Sequence, residues 1–320
     1  MNLALIGFGN VGRAFARLLE KKRSSYPFRI TGIHTARHGT AISARGLGVA
    51  PEFGPAASDI HDFLNRAGAE VAIEITPLAP TTGEPAISHI RAAFARGMHV
   101  ITANKGPIAH AYHALAEEAR CAGVHFRFES TVMDGAPVFN MVRDHLPGVT
   151  VLGFSGVLNS TSKVAVDAMR QGMSLEEGVE VARRMGIAEA DASFDIDGWD
   201  SAAKTAALAN VLMDARVTPQ QIEPRGIGRL TPERVQELDA KGKTVRIVSR
   251  ACRVPSGIRL RVRAEVLDKS DLLASVAGTS NLILIETDLM GTLGTVSIEP
   301  TVEQTAYGLF SDLVDVARQA

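Results

Sequence analysis

Cysteine, excess charge and long apolar runs are all scarce in this sequence of 320 residues. The two cysteines, Cys121 and Cys252, cannot build a disulfide framework or a cysteine-rich zinc site. A net charge of −1 gives no long-range attraction to nucleic acid or to an anionic membrane. No apolar run approaches the roughly 20 residues of a membrane span, and residues 1–7 lack the features of a signal peptide. These absences predict a cytoplasmic protein with no nucleic-acid or membrane partner.

Short apolar runs alternate with helical stretches over the first 130 residues. This alternation predicts an α/β fold with a Rossmann-like, doubly wound parallel sheet. Residues 36–58 show little pattern, from which we expect a mobile surface segment. The predicted strands are 3–6, 30–34, 71–75, 99–102 and 124–128, and the predicted helices are 11–22, 84–97 and 112–121.

The pattern changes after residues 135–137. A strand or strand pair is predicted over 149–158, followed by helices near 174–185 and 199–214. Alternating strand patterns over 245–266 and 282–298 predict an α+β domain with an antiparallel or mixed sheet. A last helix is predicted over 303–319.

Residues 7–12 read Gly-Phe-Gly-Asn-Val-Gly, a GxGxxG motif between a predicted strand and a predicted helix. The first glycine permits a tight turn, the second lets the backbone approach a pyrophosphate, and the third allows close packing of helix on strand. The helix N-terminus adds N–H groups for the phosphates. The motif predicts dinucleotide binding, and the alternative is a glycine-rich turn in an unrelated α/β domain. The predicted cofactor-binding residues of this loop are Gly7, Gly9, Asn10, Val11 and Gly12.

The end of the second predicted strand bears on the choice of dinucleotide. An NAD enzyme usually carries an acid there, about 20 residues after the loop, for the ribose 2′-OH. Residues 32–39 contain no acid, and Arg37 and His38 are placed to accept a 2′-phosphate. We therefore favour NADP(H) over NAD(H), although Arg37 could equally be a solvated loop residue.

Two lysines and a row of carboxylates stand apart from the glycine loop. Lys105 follows a predicted strand at its carboxyl end, the edge that faces the ligand crevice in open α/β sheets, although a surface turn would also suit it. Asp200 and Lys204 share one face of a predicted helix. The pair is either solvated or part of a pocket for a small zwitterion, because carboxylates suit an ammonium and lysines suit a carboxylate or proton transfer. The carboxylates before it are Glu189, Asp191, Asp195 and Asp197.

Over nearly its whole length the sequence resembles homoserine dehydrogenase. TANKGP and DxDGWDxAxK are specific motifs, and the resemblance is to the short form of the family, which is expected to lack the C-terminal regulatory ACT module of longer members. The segments that carry the resemblance, in the family's order, are GFGNVG (7–12), EITP (74–77), TTGEPAISHIRAA (81–93), VITANKGP (100–107), FESTVMDGAP (128–137), GVLNSTS (156–162), DASFDIDGWDSAAK (191–204) and EQTAYGLFSDLV (303–314).

The resemblance implies reversible NAD(P)-dependent interconversion of L-aspartate 4-semialdehyde and L-homoserine, a step of threonine and methionine biosynthesis. By position it makes Lys105 and Lys204 catalytic, either of which could protonate the carbonyl oxygen as hydride arrives, with Asp200 orienting Lys204. The other residues that it implies are Thr76, Asn104 and Lys105 near the nicotinamide, Glu189, Asp195 and Thr161 at the substrate, and a monovalent cation (Na⁺ or K⁺) on Glu129 and the carbonyls of Val132, Asp134 and Ala136.

The sequence departs from the family pattern at several places. Ser160 and Lys163 replace a glycine and an asparagine of the family's NGTxN, Asp134 stands where Gly or Ala is common, and residues 298–302 replace a glycine-rich loop. These departures keep open a homologous NAD(P)-dependent oxidoreductase for another small amino or hydroxy acid. A non-catalytic dinucleotide-binding sensor is the third alternative.

The resemblance also implies the domain organisation. We expect a dinucleotide-binding domain formed by 1–135 plus 303–320, and a substrate-binding and dimerisation domain formed by 136–302. A homodimer is expected, since two-fold dimers are the commonest oligomers.

Overall fold

The computed structural model describes residues 1–188 and 191–319, and its chain divides into two units. Unit 1 comprises 1–139 and 301–320, and unit 2 comprises 140–300. Among the helices of the described residues, none combines the length and the apolar character that crossing a membrane requires.

Unit 1 contains a six-stranded sheet in the order β3-β2-β1-β4-β5-β6, with elements numbered along the chain. All neighbouring strands are parallel except β2 and β3. The strands are β1 (Asn2–Ile6), β2 (Arg29–Thr35), β3 (Gly39–Ile42), β4 (Val71–Glu74), β5 (His99–Thr102) and β6 (Phe126–Arg127). The helices are α1 (Asn10–Lys22), α2 (Ile60–Ala67), α3 (Ala86–Phe94), α4 (Lys105–Ala122) and α11 (Val302–Gln319).

The predicted doubly wound parallel sheet is confirmed, with two corrections. The expected mobile segment at 36–58 is wrong at Gly39–Ile42, because these residues form β3, which pairs antiparallel with β2 and buries Thr40. The fourth helix begins at Lys105, seven residues before its predicted start. Asn104 caps it by accepting a 3.0 Å hydrogen bond from the N–H of Gly106, and a break at Ala111 (φ −140°) separates this first part from the predicted part.

The apolar core of unit 1 lies between the sheet and the helices α1 and α11. Phe15 of α1 and Leu309 of α11 are completely buried in one cluster with strand residues such as Leu5 and Ile73. The face predicted for the last helix is the buried one, since Ala306, Leu309, Phe310, Leu313 and Val316 all belong to this cluster.

Unit 2 contains a five-stranded sheet in the order β11-β10-β7-β8-β9, in which all neighbours are antiparallel. The predicted α+β class is therefore confirmed. A helix at 160–170, absent from the sequence prediction, follows β7 directly. The strands are β7 (Val151–Val157), β8 (Lys243–Val254), β9 (Gly257–Asp268), β10 (Asn281–Thr287) and β11 (Gly291–Ser297). The helices are α6 (Ser160–Arg170), α7 (Leu175–Arg184), α8 (Ser193–Ile196), α9 (Trp199–Met213) and α10 (Pro232–Ala240), and α5 (Phe139–His145) lies where the chain passes from unit 1 to unit 2.

Candidate active site

The glycine loop connects β1 to α1 at the carboxyl end of the parallel sheet. Gly7 has φ +101°, and a Cβ there would lie 2.6 Å from the carbonyl oxygen of Ile75. A Cβ at Gly12 would lie 3.0 Å from the Cδ1 of Ile75. Glycine therefore permits the close packing of α1 on the sheet that is expected of the third glycine. A Cβ at Gly9 meets no atom within 4 Å among the described residues. The loop is therefore tightly packed against Ile75 at Gly7 and Gly12 and is open at Gly9. This arrangement fits a pyrophosphate bound at Gly9.

The turn after β2 carries the predicted 2′-phosphate residues. Arg37 and His38 are exposed, and the N–H of His38 donates a 2.9 Å hydrogen bond to the hydroxyl of Thr35. This turn lies beside the glycine loop in the sheet, because β2 pairs with β1 and the N–H of Gly7 donates to the carbonyl oxygen of His34 at 2.8 Å. The positions are suited to the ribose of a dinucleotide held by the loop.

Thr76 and Asn104, predicted near the nicotinamide, contact each other at the ends of β4 and β5. The side-chain amide of Asn104 donates to the Thr76 carbonyl oxygen at 3.1 Å. Lys105 takes the first position of α4. Beneath them lies Glu74, a completely buried acid that sequence reasoning missed. Its signal in the sequence is an acid within the apolar strand VAIEI.

In unit 2, four of the predicted or motif residues form one hydrogen-bonded cluster, which we call the carboxylate cluster: Asn159, Thr161, Asp195 and Asp200. The amide of Asn159 donates to Asp195 at 2.7 Å and to Asp200 at 2.9 Å. The Thr161 hydroxyl donates to the other oxygen of Asp195 at 2.8 Å. Asn159 was not a predicted site residue, although it lies in the NSTS segment that carried the resemblance.

Lys204 extends this cluster from the next turn of α9. Its Nζ lies 3.1 Å from Asp200 and donates a 2.6 Å hydrogen bond to the carbonyl oxygen of Leu158. The side chains of Lys204 and Asp200 are only 15% and 10% exposed, so the interpretation of this pair as a solvated surface pair is wrong. The pair is instead largely buried and hydrogen-bonded to the carboxylate cluster.

Two carboxylates of the cluster lie close enough to influence each other. Burial, followed by the neighbouring Asp200 carboxylate, raises the pKa of Asp195 above its ordinary value near 3.8. The hydrogen bonds from Thr161 and Asn159 and the charge of Lys204 act in the opposite direction. A cationic group bound beside Asp195 would relieve the repulsion, which is what the ammonium of an amino acid supplies.

The other acids of the row lie elsewhere. Asp191 and Asp197 are exposed, and Asp191 accepts a 2.9 Å hydrogen bond from the N–H of Ser193. Glu189, predicted to bind substrate, lies outside the described residues.

Ser160 and Lys163, the two residues of α6 that depart from the family pattern, contact the segment at the start of β10. The Ser160 hydroxyl donates to the carbonyl oxygen of Thr279 at 3.2 Å. Lys163 is 1% exposed, and its Nζ donates to the Asn281 side-chain oxygen at 3.0 Å. These contacts tie the first turn of α6 to the start of β10, while Asn159 and Thr161 contact the acids.

The residues predicted for a monovalent cation follow β6. Glu129 is buried, and its Oε1 accepts hydrogen bonds from the N–H groups of Val138 at 2.7 Å and Phe139 at 2.9 Å. Asp134 takes a left-handed conformation at φ 57°. Within 1–188 and 191–319, no group of three or more His, Cys, Asp or Glu side chains is arranged to hold a metal ion. A cation here would depend on Glu129 and on backbone carbonyls such as those of Val132 and Ala136.

A parallel sheet with a glycine loop, together with a separate cluster of lysine and carboxylates, is typical of a nicotinamide-dinucleotide-dependent oxidoreductase. The family model described as "Homoserine dehydrogenase" matches residues 137–314, and that described as "Homoserine dehydrogenase, NAD binding domain" matches 7–129. The chain belongs to the homoserine dehydrogenase family.

Relatives and solved structures agree over the whole chain. The NAD(+)-dependent homoserine dehydrogenase of Pseudomonas canavaninivorans is 32% identical over 99% of this chain and 96% of its own length. The homoserine dehydrogenase of Methanocaldococcus jannaschii is 33% identical over 99% and 98%. The crystal structure of homoserine dehydrogenase from Thermoplasma acidophilum, 25% identical, matches 99% of both chains with a TM-score of 0.85.

Proposed function

We propose that this chain interconverts L-homoserine and L-aspartate 4-semialdehyde, with a nicotinamide dinucleotide as hydride carrier. The observation that carries the proposal is the carboxylate cluster with Lys204, because it joins two largely buried carboxylates through Asn159 and places the Lys204 ammonium 3.1 Å from one of them, Asp200. Such a set recognises a small zwitterion with a reacting oxygen. A substrate without an ammonium would provide no cation beside Asp195 to reduce its repulsion with Asp200 further.

The substrate roles follow from the chemistry of each group. Asp195 accepts the ammonium of the amino acid, and Thr161 fixes the orientation of that carboxylate through its 2.8 Å hydrogen bond. Asp200 holds Lys204 in place. Glu189 remains a proposed substrate ligand on the family motif alone.

The proton of the substrate hydroxyl must leave as hydride moves to the nicotinamide, and return in the reverse direction. Lys105 and Lys204 are the two candidate groups, since an ammonium can donate to the developing alkoxide and the neutral amine can accept. Thr76 and Asn104 would hold the nicotinamide, which when bound would accept or supply the hydride.

We propose NADP(H) as the preferred cofactor. Support comes from the exposed Arg37 and His38 after β2 and from the lack of any acid at residues 29–42. NAD(H) is the competing candidate, because the relative from Pseudomonas canavaninivorans is described as NAD(+)-dependent. Gly7, Gly9, Asn10, Val11 and Gly12 would hold the pyrophosphate of either dinucleotide.

Three further assignments belong to this proposal. Residues 1–135 with 303–320 act as the dinucleotide-binding domain, and 136–302 as the substrate-binding and dimerisation domain. A Na⁺ or K⁺ ion binds at Glu129, Val132, Asp134 and Ala136. The enzyme is a cytoplasmic homodimer, for which light scattering coupled to gel filtration gives the mass directly.

The decisive experiment compares initial rates of NADH and NADPH oxidation with aspartate 4-semialdehyde, and NAD⁺ and NADP⁺ reduction with homoserine. Turnover that requires the 2-amino group supports the proposal. A panel of small hydroxy and amino acids covers the alternative of a related oxidoreductase. Dinucleotide binding without turnover of any panel member would favour the non-catalytic sensor.

A further inference from the structure

Glu74, at the end of β4, is a buried acid that the proposed chemistry does not use. It is completely buried. Its Oε1 accepts hydrogen bonds from the N–H of Thr76, at 3.1 Å, and from the Thr76 hydroxyl. Its Oε2 accepts a 3.0 Å hydrogen bond from the hydroxyl of Thr102, the last residue of β5. One carboxylate therefore joins the carboxyl ends of two neighbouring parallel strands.

The hydrogen bonds continue from Thr102 into a closed ring. The Thr102 hydroxyl accepts a 2.9 Å hydrogen bond from the N–H of Asn104. The Asn104 amide returns to the carbonyl oxygen of Thr76, and its side-chain oxygen caps α4 at Gly106. Since Lys105 lies between Asn104 and Gly106, the ring fixes the backbone on both sides of this lysine.

The same acid also acts on the glycine loop. The backbone of residues 75–76 is the surface against which Gly7 packs, and a Cβ on Gly7 would lie 2.6 Å from the Ile75 oxygen and 3.2 Å from the Thr76 nitrogen. Because Glu74 accepts a hydrogen bond from the Thr76 N–H, it holds in place the segment against which the glycine loop packs.

Burying the Glu74 carboxylate is energetically unfavourable for the sheet. A buried carboxylate loses its hydration, and apolar residues of similar volume commonly stabilise such a position equally well or better. The nearest cationic candidate is His89, whose Nδ1 lies 4.0 Å away and finds no hydrogen-bond partner within the described chain. The N–H and hydroxyl of Thr76 and the hydroxyl of Thr102 thus provide the main compensation, and Thr76 belongs to the proposed nicotinamide site.

We propose that Glu74 is the positioning residue of the dinucleotide site: through Thr76 it sets the glycine loop, and through Thr102 and Asn104 it sets Lys105. This inference rests on the proposed function, and it adds a residue that touches neither cofactor nor substrate. It predicts that weakening the ring changes the use of the dinucleotide while the fold persists.

The test uses the full chain with Glu74→Gln, and Thr102→Val beside Thr102→Ser. Glutamine offers one acceptor oxygen, so at least one of the three donors loses its partner. We expect Glu74→Gln to lower kcat/KM for the dinucleotide about tenfold, the effect of one hydrogen bond to a charged group. Thr102→Val should lose a similar factor, mainly in kcat, while Thr102→Ser keeps the hydroxyl and stays within about twofold of the parent.

The controls separate positioning from stability. Glu118→Gln removes the same charge from an exposed pair with Arg91 and should leave kcat/KM unchanged. A folded Glu74→Gln protein with kcat/KM within about twofold of the parent overturns the inference. If that variant does not fold, equal rates in Thr102→Val and Thr102→Ser overturn it. Dinucleotide binding, measured by isothermal titration calorimetry, reports on the ring even if homoserine is not the substrate.

Discussion

Nζ of Lys204 lies 3.1 Å from Oδ2 of Asp200, one turn earlier on α9. The pair is largely buried and is connected through Asn159 to Asp195. Removing one member of a buried pair leaves the other charge without compensation, which is far more disruptive than breaking a surface pair. The position of Lys204 therefore depends on Asp200, and this dependence can be measured.

Asp200→Asn keeps the shape of the side chain and removes its charge. If Lys204 rather than Lys105 transfers the proton, we expect kcat to fall about 100-fold or more, the usual contribution of a correctly held general acid–base group, with the dinucleotide Kd unchanged. Steady-state kinetics and a binding titration measure the two quantities. Glu237→Gln is the matched control, because it breaks exposed pairs with Arg234 and Lys241 and should alter neither. An Asp200→Asn enzyme with parental kcat would exclude an Asp200-held Lys204 as the proton-transfer group and leave Lys105.

The two candidate lysines are distinguished by substituting each with methionine, which keeps the length of the side chain. Replacing the lysine that transfers the proton should lower kcat about 100-fold or more, with little change in the KM of the substrate. Replacing a lysine that binds the substrate carboxylate should instead raise the KM of the substrate. Rates with homoserine for Lys105→Met and Lys204→Met settle the assignment, and a loss of kcat below twofold in both variants would remove lysine from the proton transfer altogether.

Asp195 makes the stability of the protein depend on pH. Burial, then Asp200, raises the pKa of Asp195, so the folded chain binds this proton more tightly than the unfolded chain does. The favourable contribution is complete at low pH and is lost as pH rises through the folded-state pKa. Asp195→Asn avoids the ionised form, and Asn can still pair with Asn159 and Thr161. The variant should therefore unfold at higher urea than the parent at neutral pH, by a margin that shrinks as pH falls.

Urea titrations without ligand, over about pH 4 to pH 8, measure this difference. The same variant should raise the KM for homoserine, because it lacks the charge proposed for the ammonium. A constant difference in unfolding free energy across the pH range would show that Asp195 does not titrate in this way.

Arg37 decides the proposed cofactor preference. Arg37→Ala should lower kcat/KM for NADPH about tenfold or more, since a guanidinium–phosphate contact is lost, and should leave NADH nearly unaffected. Arg45→Ala, at another exposed position of unit 1, is the control for a general charge effect. An NADPH-to-NADH ratio that does not change in Arg37→Ala would return Arg37 to an ordinary solvated loop residue.

The parallel sheet and its glycine loop could be predicted from sequence because they depend on local patterns: apolar runs, helical spacing and a motif in the right place. The helix at 160–170 was missed for a physical reason. Its buried face includes Thr161, Ser162 and Lys163, so polar residues interrupt the apolar periodicity that marks a helix. Strand β3 was missed because an edge strand of four residues has too few positions to show alternation.

The candidate site divides in the same way. Asp195, Asp200 and Lys204 could be proposed together because they lie on one short segment. Glu74 and Asn159 could not, since their importance comes from partners 28 and 41 residues away, Thr102 and Asp200. Lys163 stood out only as a departure, and its burial against Asn281, 118 residues along the chain, is a tertiary property.

Gly7 and Gly9 separate packing from cofactor binding within one loop. Gly7→Ala forces φ +101° on a residue with a Cβ and brings that atom against the Ile75 carbonyl, so we expect a loss of about 1–3 kcal/mol of stability together with dinucleotide binding. Gly9→Ala has φ −83° and open space around its Cβ in the described chain, so the melting temperature should not change. Its methyl group would nevertheless occupy the approach of the pyrophosphate and raise the dinucleotide Kd at least about tenfold. Differential scanning fluorimetry and a binding titration on both variants give the two outcomes. A Gly9→Ala protein that binds NADPH and NADH as the parent does would place the pyrophosphate away from this loop.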